Sequence, residues 1–375
     1  MNRIAVIFGT RPEAIKLAPV VRSLIQRATL ETEVWVTGQH RQMLDQIMND
    51  FEISPDVDLD VMAPNQTLAD LSARCLMGLS HHLSLRKPQL VMVQGDTTTA
   101  FIAALTAYYH QIPVAHVEAG LRTSDLLAPW PEEGNRCMIA RLANLNFAPT
   151  NWSRDNLLRE GVAPQTIHVT GNTAVDALFL AMKKLGPVPV EDKRKVLITG
   201  HRRESWGEGF ASICEAIVLL ARKYPEVEFV YPVHLNPVVR KPVFETLQGV
   251  QNIKLMEPLN YFEFVSLMRS SHLILTDSGG IQEEAPSLGI PVLVMRDETE
   301  RPEGIEAGTS VLTGTATARI VSVVSNLLDR PSAYRQLAQF FSQGKKGFYR
   351  VVLQVFGQFF RLQFLSGQSG LYFGS

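Results

Sequence analysis

Cysteine is scarce in this sequence, and neither sign of charge dominates. The chain of 375 residues contains only Cys75, Cys137 and Cys214, which are widely spaced and form no C-x-x-C pair. This pattern argues against a disulfide framework and a structural zinc site, and it indicates a reducing compartment such as the cytoplasm. The 36 basic and 37 acidic residues leave a net charge of −1. No overall field therefore favours nucleic acid or an anionic membrane as a partner.

Long hydrophobic runs and common catalytic motifs are also missing. The apolar run Ile4–Phe8 is much shorter than a signal-peptide core, and no segment approaches a transmembrane span. We therefore expect a protein that is not addressed to a membrane. The sequence contains neither a G-x-S-x-G nucleophile motif nor the short His and carboxylate spacing of a zinc helix. No metal site is predicted.

Short apolar runs alternate with amphipathic stretches along most of the chain, and this alternation predicts parallel sheets flanked by helices. At this length and 46% apolar content, two domains are expected. The fold class is therefore α/β, with two Rossmann-like doubly wound domains that face a central cleft. The predicted strands are Ile4–Phe8, Glu33–Thr37, Leu90–Val93, Pro113–Val117, Leu145–Ala148, Val196–Thr199, Glu228–Tyr231, Ile253–Met256, Leu273–Leu275 and Val292–Met295.

A charged, proline-containing stretch at 183–195 is interpreted as a linker between domains at 1–182 and 196–338. The tail at 339–375 differs from the rest. It carries eight of the 18 phenylalanines, and no acidic residue follows Asp329. One hypothesis is a replaced or frame-shifted end. The alternative is a genuine apolar segment that packs on the first domain or on a partner.

The turn Ser278-Gly279-Gly280 follows an apolar strand and precedes a predicted helix. Paired glycines let backbone N–H groups approach phosphate oxygens, and a helix N-terminus adds partial positive charge. An anionic ligand is therefore expected beside Ser278. The alternative is a plain strand-to-helix turn, which is the more frequent meaning of an isolated Ser-Gly-Gly.

Three further groups of polar residues follow strands in the first half. Arg11 and Lys16 lie near the start of a helix that Pro12 favours, where both could bind a diphosphate, although basic residues on a helix are more often solvated. Asp96 could either cap the next helix or present its carboxylate to the cleft. His116-Val-Glu-Ala-Gly-Leu-Arg places an acid, an imidazole and a guanidinium at a strand end, which suggests a site.

Other candidates are less decisive when taken singly. Glu132 and Glu133 follow a proline, where helix-start carboxylates are common. His201 and His234 each follow a predicted strand, and histidine at such positions can bind phosphate or transfer protons. Arg301 lies beyond the strand after the Ser-Gly-Gly turn. It could reach the same cleft as that turn, and the alternative is a salt bridge to a neighbouring acid.

Seven ordered motifs together resemble the bacterial non-hydrolysing UDP-N-acetylglucosamine 2-epimerases, over roughly the first 335 residues. The tail departs from the ending typical of that family. The motifs are Gly9-Thr-Arg-Pro-Glu, Gly95-Asp-Thr-Thr-Thr, His116-Val-Glu-Ala-Gly-Leu-Arg, Pro131-Glu-Glu-Gly-Asn-Arg, Gly200-His-Arg-Arg-Glu, Pro232-Val-His-Leu-Asn-Pro and Thr276-Asp-Ser-Gly-Gly-Ile-Gln-Glu-Glu.

The resemblance implies a fold like that of two-domain (GT-B) glycosyltransferases and the interconversion of UDP-N-acetylglucosamine and UDP-N-acetylmannosamine. It also implies that UDP is eliminated to give 2-acetamidoglucal and is then re-added, without a metal or redox cofactor. The resemblance assigns Asp96, Glu118 and Glu132 to proton transfer and to support of the glycosidic oxygen. It assigns His201 to the departing diphosphate, where a charged imidazole would stabilise negative charge.

The same resemblance implies substrate-binding and regulatory residues. The diphosphate would contact the Ser278-Gly279-Gly280 turn with the help of three basic side chains, and other residues would contact the ribose and uracil. UDP-N-acetylglucosamine would also act as an allosteric activator, and a homodimer is expected. These implied residues are Arg11, Lys16 and Arg301 for the diphosphate, Glu284 for the ribose hydroxyls, Phe264 for uracil, and Gln39, His40, Gln42 and His234 for the activator.

Three other functions remain open from the sequence. A UDP-sugar-dependent glycosyltransferase has the same architecture, and fold alone does not determine function. A hydrolysing epimerase would release free N-acetylmannosamine. A catalytically silent module would bind the nucleotide sugar without turnover. The three acids favour the reversible epimerase, which would supply a precursor for bacterial surface polysaccharide.

Overall fold

The computed structural model describes residues 2–27, 29–38, 41–188, 193–200, 207–299, 301–306 and 308–338. The chain divides into two compact units, and the boundary lies between Ala177 and Leu178. The tail from 339 onward lies outside the described residues, as do Gln39, His40 and His201. The side chain of Gln42 is likewise outside the description.

The first unit alternates strands and helices, and the unit boundary falls within its last helix. Its strands are β1 (Asn2–Phe8), β2 (Leu30–Val36), β3 (Val57–Asp58), β4 (Leu90–Gln94), β5 (Val114–Val117), β6 (Leu145–Ala148) and β7 (Ile167–Val169). Its helices are α1 (Arg11–Ile25), α2 (Arg41–Phe51), α3 (Leu68–Arg86), α4 (Thr98–Tyr109), α5 (Glu132–Leu142), α6 (Asn151–Arg159) and α7 (Thr173–Leu185), with a 3-10 turn at Pro164–Thr166.

The strands of the first unit form one parallel sheet in the order β3-β2-β1-β4-β5-β6-β7. The order reverses between β1 and β4, which is the switch point of a doubly wound sheet. Helices cover both faces of such a sheet, so its central strands are apolar throughout. Every side chain from Ile4 to Phe8 is fully buried, and each large one contributes about 1.5–3 kcal/mol through burial.

The second unit repeats this pattern. Its strands are β8 (Lys195–Thr199), β9 (Glu228–Pro232), β10 (Ile253–Met256), β11 (Leu273–Thr276), β12 (Val292–Val294) and β13 (Ser310–Leu312). Its helices are α8 (Glu208–Lys223), α9 (Pro237–Leu247), α10 (Tyr261–Arg269), α11 (Gly279–Glu284), α12 (Pro302–Glu306), α13 (Thr317–Asp329) and α14 (Pro331–Ala338), with a 3-10 turn at Ala285–Leu288.

The second sheet is also parallel, in the order β10-β9-β8-β11-β12-β13, and its switch point lies between β8 and β11. One core cluster joins α8, α9 and α13 to one face of the sheet. Phe210, Ile217 and Phe229 are among the buried members of this cluster. The two switch points fix which loops can carry ligand-binding residues, because ligands of such sheets bind outside the carboxyl ends of the strands there.

The structure confirms the predicted α/β class with two Rossmann-type doubly wound units. Each of the ten strands predicted from sequence is present, with ends that differ by a few residues. The short strands β3, β7 and β13 were not predicted, because two or three residues are too few to show periodicity. No helix among the described residues is long and apolar enough to cross a membrane.

The tight packing of the β1–α1 turn predicts a cost for any side chain at Gly9. A Cβ atom there would lie 2.1 Å from Thr37 Oγ1 and 2.5 Å from Thr99 Oγ1. We expect Gly9→Ala to lower the free energy of unfolding by about 1–3 kcal/mol because the core is overpacked. Urea unfolding measures this change.

Gly134 in α5 is the matched control, because a Cβ atom there would meet no atom within 4 Å. Gly134→Ala should raise the free energy of unfolding by roughly 0.5–1 kcal/mol through helix propensity. Equal unfolding midpoints for the two variants would contradict the packing argument at Gly9.

Candidate functional site

The polar residues singled out in the first unit follow strands at or beside its switch point. Gly9 and Thr10 follow β1, Asp96 follows β4, and Glu118 follows β5. Strands β4 and β5 are direct neighbours, with Gln94 opposite Val117. The sheet therefore brings these loops to one edge.

Glu118 is held by two side chains from different elements. Its Oε1 atom lies 2.5 Å from Lys16 Nζ of α1, and its Oε2 atom accepts a hydrogen bond from the Gln94 side-chain amide. The Glu118 side chain is 7% exposed. Its backbone is left-handed, with φ of 66°. An ion pair with a short, nearly buried contact fixes the carboxylate in one orientation.

Asp96 does not cap the next helix. Thr97 occupies the N-cap of α4, where its side chain accepts a hydrogen bond from the N–H of Ala100. The Asp96 carboxylate instead lies 2.5 Å from Arg136 Nη2, and Asn135 Nδ2 donates to the Asp96 carbonyl at 2.9 Å. Helix α5 therefore holds both the side chain and the backbone of Asp96.

The two neighbouring acids at the start of α5 have different environments. Glu133 is 1% exposed, accepts hydrogen bonds from the N–H groups of Thr123 and Ser124 at 3.0 and 3.1 Å, and lies 3.1 Å from Arg136 Nη1. Glu132 is half-buried. Its carboxylate has no hydrogen-bond or ion-pair partner in the described part of the chain. Glu133 is therefore structural, whereas Glu132 is available to a ligand.

Glu13 is a buried carboxylate that sequence reasoning did not single out. Desolvation raises its pKa to about 7, and hydrogen bonds from Thr10, Thr97 and Gly9 only partly oppose this rise. The signal was present in the sequence, because Thr10 and Glu13 have the spacing of a capping box. A carboxyl group with such a pKa changes charge near neutral pH.

His116 is fully buried at the end of β5. Its Nε2 atom lies 2.7 Å from the Gly95 carbonyl, and since a carbonyl only accepts, Nε2 carries the proton. Burial lowers the pKa of His116 to about 4. The imidazole is therefore neutral near neutral pH, and it supports the Gly95 turn rather than acting as an acid.

In the second unit, the Ser278-Gly279 turn and Arg301 lie together. A Cβ atom on Gly279 would be 2.5 Å from Arg301 Nη1, so the guanidinium packs directly on the glycine backbone. Arg301 Nε lies 2.5 Å from Glu283 Oε1. Arg301 therefore lies beside the turn and also forms a salt bridge, which was the alternative that the sequence left open.

The other candidates occupy separate positions. Arg11 begins α1 and is half-buried, and Phe264 lies in α10 with a half-buried side chain. Glu284 ends α11. His234 is exposed after β9, and its Nδ1 atom accepts a hydrogen bond from the N–H of Asn236 at 3.1 Å.

Exchanging each of the neighbouring acids for glutamine should separate their roles. Glu133→Gln places an amide donor against the Arg136 guanidinium, so we expect a loss of about 1–3 kcal/mol in the free energy of unfolding. Glu132→Gln should change it by less than about 0.5 kcal/mol. Urea unfolding of both variants tests the assignment, which fails if Glu132→Gln is the more destabilised.

The raised pKa of Glu13 predicts a pH-dependent stability. The folded chain keeps a proton up to about pH 7 that the unfolded chain, with a pKa of 4.5, has already released. Stability should therefore fall as pH rises through this window and level off above it. Glu13→Gln lacks the titrating group, so its free energy of unfolding should not show this fall. The difference in free energy of unfolding between variant and parent should therefore shift in favour of the variant by on the order of 3 kcal/mol as pH rises from 4.5 to 7.

Chemical unfolding of the parent and Glu13→Gln at pH 5 and pH 8 measures the difference between them. A constant offset at both pH values would show that Glu13 does not titrate in this window.

The chain is similar to known proteins over most of its length. A family model described as UDP-N-acetylglucosamine 2-epimerase matches residues 22–348. The UDP-N-acetylglucosamine 2-epimerase of Yersinia pestis is 53% identical over 350 residues, which cover 90% of this chain and 93% of that protein.

Solved structures of similar chains also match. The Neisseria meningitidis UDP-GlcNAc 2-epimerase bound to UDP-GlcNAc has a TM-score of 0.88 at 45% identity, over 96% of this chain and 100% of that one. The S. aureus MnaA–UDP co-structure has a TM-score of 0.88 at 39% identity and covers both chains completely. With such similarity over nearly the whole length, the chain belongs to the UDP-N-acetylglucosamine 2-epimerase family.

Proposed function

We propose that this protein interconverts UDP-N-acetylglucosamine and UDP-N-acetylmannosamine by inverting C2 without releasing free sugar. The observation that carries the proposal is the set of acids at the first switch point. Asp96 and Glu118 follow adjacent strands, and each is oriented by a cation, Arg136 or Lys16. Glu132 starts the helix that holds Asp96. The solved Neisseria meningitidis relative is bound to UDP-GlcNAc.

The proposed reaction proceeds by elimination and re-addition. A carboxylate removes the C2 proton, and the C2–H electron pair forms the C1=C2 double bond of 2-acetamidoglucal. The C1–O bond breaks at the same time, and its electrons leave with UDP. UDP then adds back to C1 while a proton reaches C2 from the opposite face. The sugar's oxidation state is unchanged, so no redox cofactor is required.

Three acids suit this chemistry because inversion needs a proton acceptor and a proton donor on opposite faces of C2. Asp96, Glu118 and Glu132 share the proton transfers and the support of the glycosidic oxygen. The carboxylate of Glu132, which has no partner among the residues that the structure describes, differs from the two cation-paired carboxylates. Such unequal environments let carboxyl groups take unequal roles in one site.

The leaving diphosphate needs positive charge and backbone donors. We assign the Ser278-Gly279-Gly280 turn and Arg301 to it, because the guanidinium packs on Gly279. Arg11, Lys16 and His201 add positive charge, and His201 meets the oxygen that departs. Glu284 binds the ribose hydroxyls, and Phe264 packs near uracil.

Regulation and assembly follow the family expectation. UDP-N-acetylglucosamine also acts as an activator at a neighbouring site that includes Gln39, His40, Gln42 and His234. The protein works as a cytoplasmic homodimer, without a metal or redox cofactor. Its product supplies bacterial surface polysaccharide synthesis.

Deuterium incorporation tests the reaction. The purified protein is incubated with UDP-N-acetylglucosamine in D₂O, and proton NMR follows deuterium at C2 and formation of UDP-N-acetylmannosamine. Asp96→Asn, Glu118→Gln and Glu132→Gln should each lower turnover by about 10²–10⁴-fold. Glu31→Gln is the control with parental turnover, since Glu31 pairs with Arg3 on the surface.

The products separate the rival functions. Free N-acetylmannosamine with irreversible accumulation of UDP identifies a hydrolysing epimerase. Release of UDP that requires an acceptor identifies a glycosyltransferase, and UDP binding without exchange at C2 identifies a silent module. Parental turnover in any of the three acid variants removes that acid from the mechanism.

A further inference from the structure

A buried carboxylate that the proposed reaction does not use lies at the switch point of the first sheet. Glu13 is 1% exposed. Its Oε2 atom accepts hydrogen bonds from the N–H groups of Gly9 at 3.1 Å and Thr10 at 2.8 Å. Its Oε1 atom accepts from Thr97 Oγ1 at 2.8 Å. One carboxylate thus has partners on both sides of the switch point.

These partners belong to the two loops that carry site residues. Gly9 and Thr10 form the turn before Arg11, whereas Thr97 directly follows Asp96. Thr97 also caps α4 by accepting a hydrogen bond from the N–H of Ala100 at 3.0 Å. The contact between Glu13 and Thr97 spans 84 residues of sequence. It is therefore a tertiary contact that fixes one loop against the other.

The position that Glu13 fills is one that doubly wound sheets ordinarily offer to a ligand. Backbone N–H groups at the start of the first helix point toward the switch point, where they bind phosphate in nucleotide-binding sheets. In this chain the N–H groups of Gly9 and Thr10 are bonded to an internal carboxylate. The carboxyl group that organises the turn is thus part of the protein.

We propose that Glu13 is a positioning residue whose carboxylate takes the place of a bound phosphate at the first switch point and holds the Asp96 loop against the Arg11 turn. The proposal rests on the proposed function insofar as Asp96 and Arg11 act on the substrate. Glu13 itself touches no reacting atom. Its removal should misplace Asp96 and lower turnover even when the protein stays folded.

Rescue by a small anion provides the sharpest test. Glu13→Ala removes the carboxylate but keeps the donors of Gly9, Thr10 and Thr97. We expect its kcat to fall at least about tenfold, and we expect sodium formate to restore part of that loss. Sodium chloride at equal ionic strength should restore much less.

Glu13→Gln separates positioning from the negative charge. The glutamine oxygen can accept from the N–H groups of Gly9 and Thr10, and its amide can donate to Thr97 Oγ1. We therefore expect kcat within about threefold of the parent. A loss in Glu13→Gln as large as the expected tenfold loss in Glu13→Ala would overturn the positioning role.

Glu33 supplies a matched control for the loss of a buried carboxylate. It is 5% exposed, lies in β2, and binds Trp35 Nε1 at 2.8 Å and Arg86 Nη1 at 3.1 Å. Glu33→Ala should lower Tm while the folded enzyme keeps the parental kcat with or without formate. A comparable loss of kcat in this control would mean that losing any buried carboxylate lowers turnover, and Glu13 would then have no specific positioning role.

Thermal unfolding gives a readout that does not depend on activity. Formate should raise the Tm of Glu13→Ala and leave that of the parent unchanged. If the parent lacks epimerase activity, the proposed function fails, and the Tm response still decides whether Glu13 occupies an anion site. Parental kcat in Glu13→Ala, or a loss without any response to formate in kcat and Tm, overturns the inference. If Glu13→Ala does not fold, Glu13→Gln decides it.

Discussion

Parallel pairing of β1 with β4 is the constraint on which the first unit depends. The strand order reverses there. The connections after the two strands therefore run to opposite sides and leave a space that side chains or ligands can occupy. Gly9 can approach Thr37 and Thr99 only because it has no side chain. This close approach brings the start of α1 to the start of α4. The carboxylates that follow β4 and β5 therefore lie at one edge.

The charges at this edge are balanced within the unit. Asp96 and Glu133 share the Arg136 guanidinium, and Glu118 is paired with Lys16. Breaking a nearly buried ion pair leaves one charge without compensation, which costs far more than the pair itself contributes. Each cation therefore limits the positions that its carboxylate can adopt. Orientation, rather than net stability, is what these pairs provide.

The sequence predicted the strands and the loops that carry the acids, because both depend on local patterns. Hydrophobic runs marked the long strands, and polar residues at their ends marked the loops. It could not resolve contacts between distant residues. Whether Asp96 caps the next helix or directs its carboxylate elsewhere depended on Arg136, which lies 40 residues away. The difference between Glu132 and Glu133 likewise depended on a loop that only the fold brings to Glu133.

The backbone at Glu118 has a consequence for how this protein would evolve in the laboratory. A non-glycine residue at φ of 66° carries a conformational penalty of roughly 1 kcal/mol that glycine avoids. Glycine at this position would relieve that strain, but it would leave the nearly buried Lys16 without its carboxylate, and this second effect is the larger. A library selected for folding alone would therefore keep an acid at this position in spite of its backbone conformation.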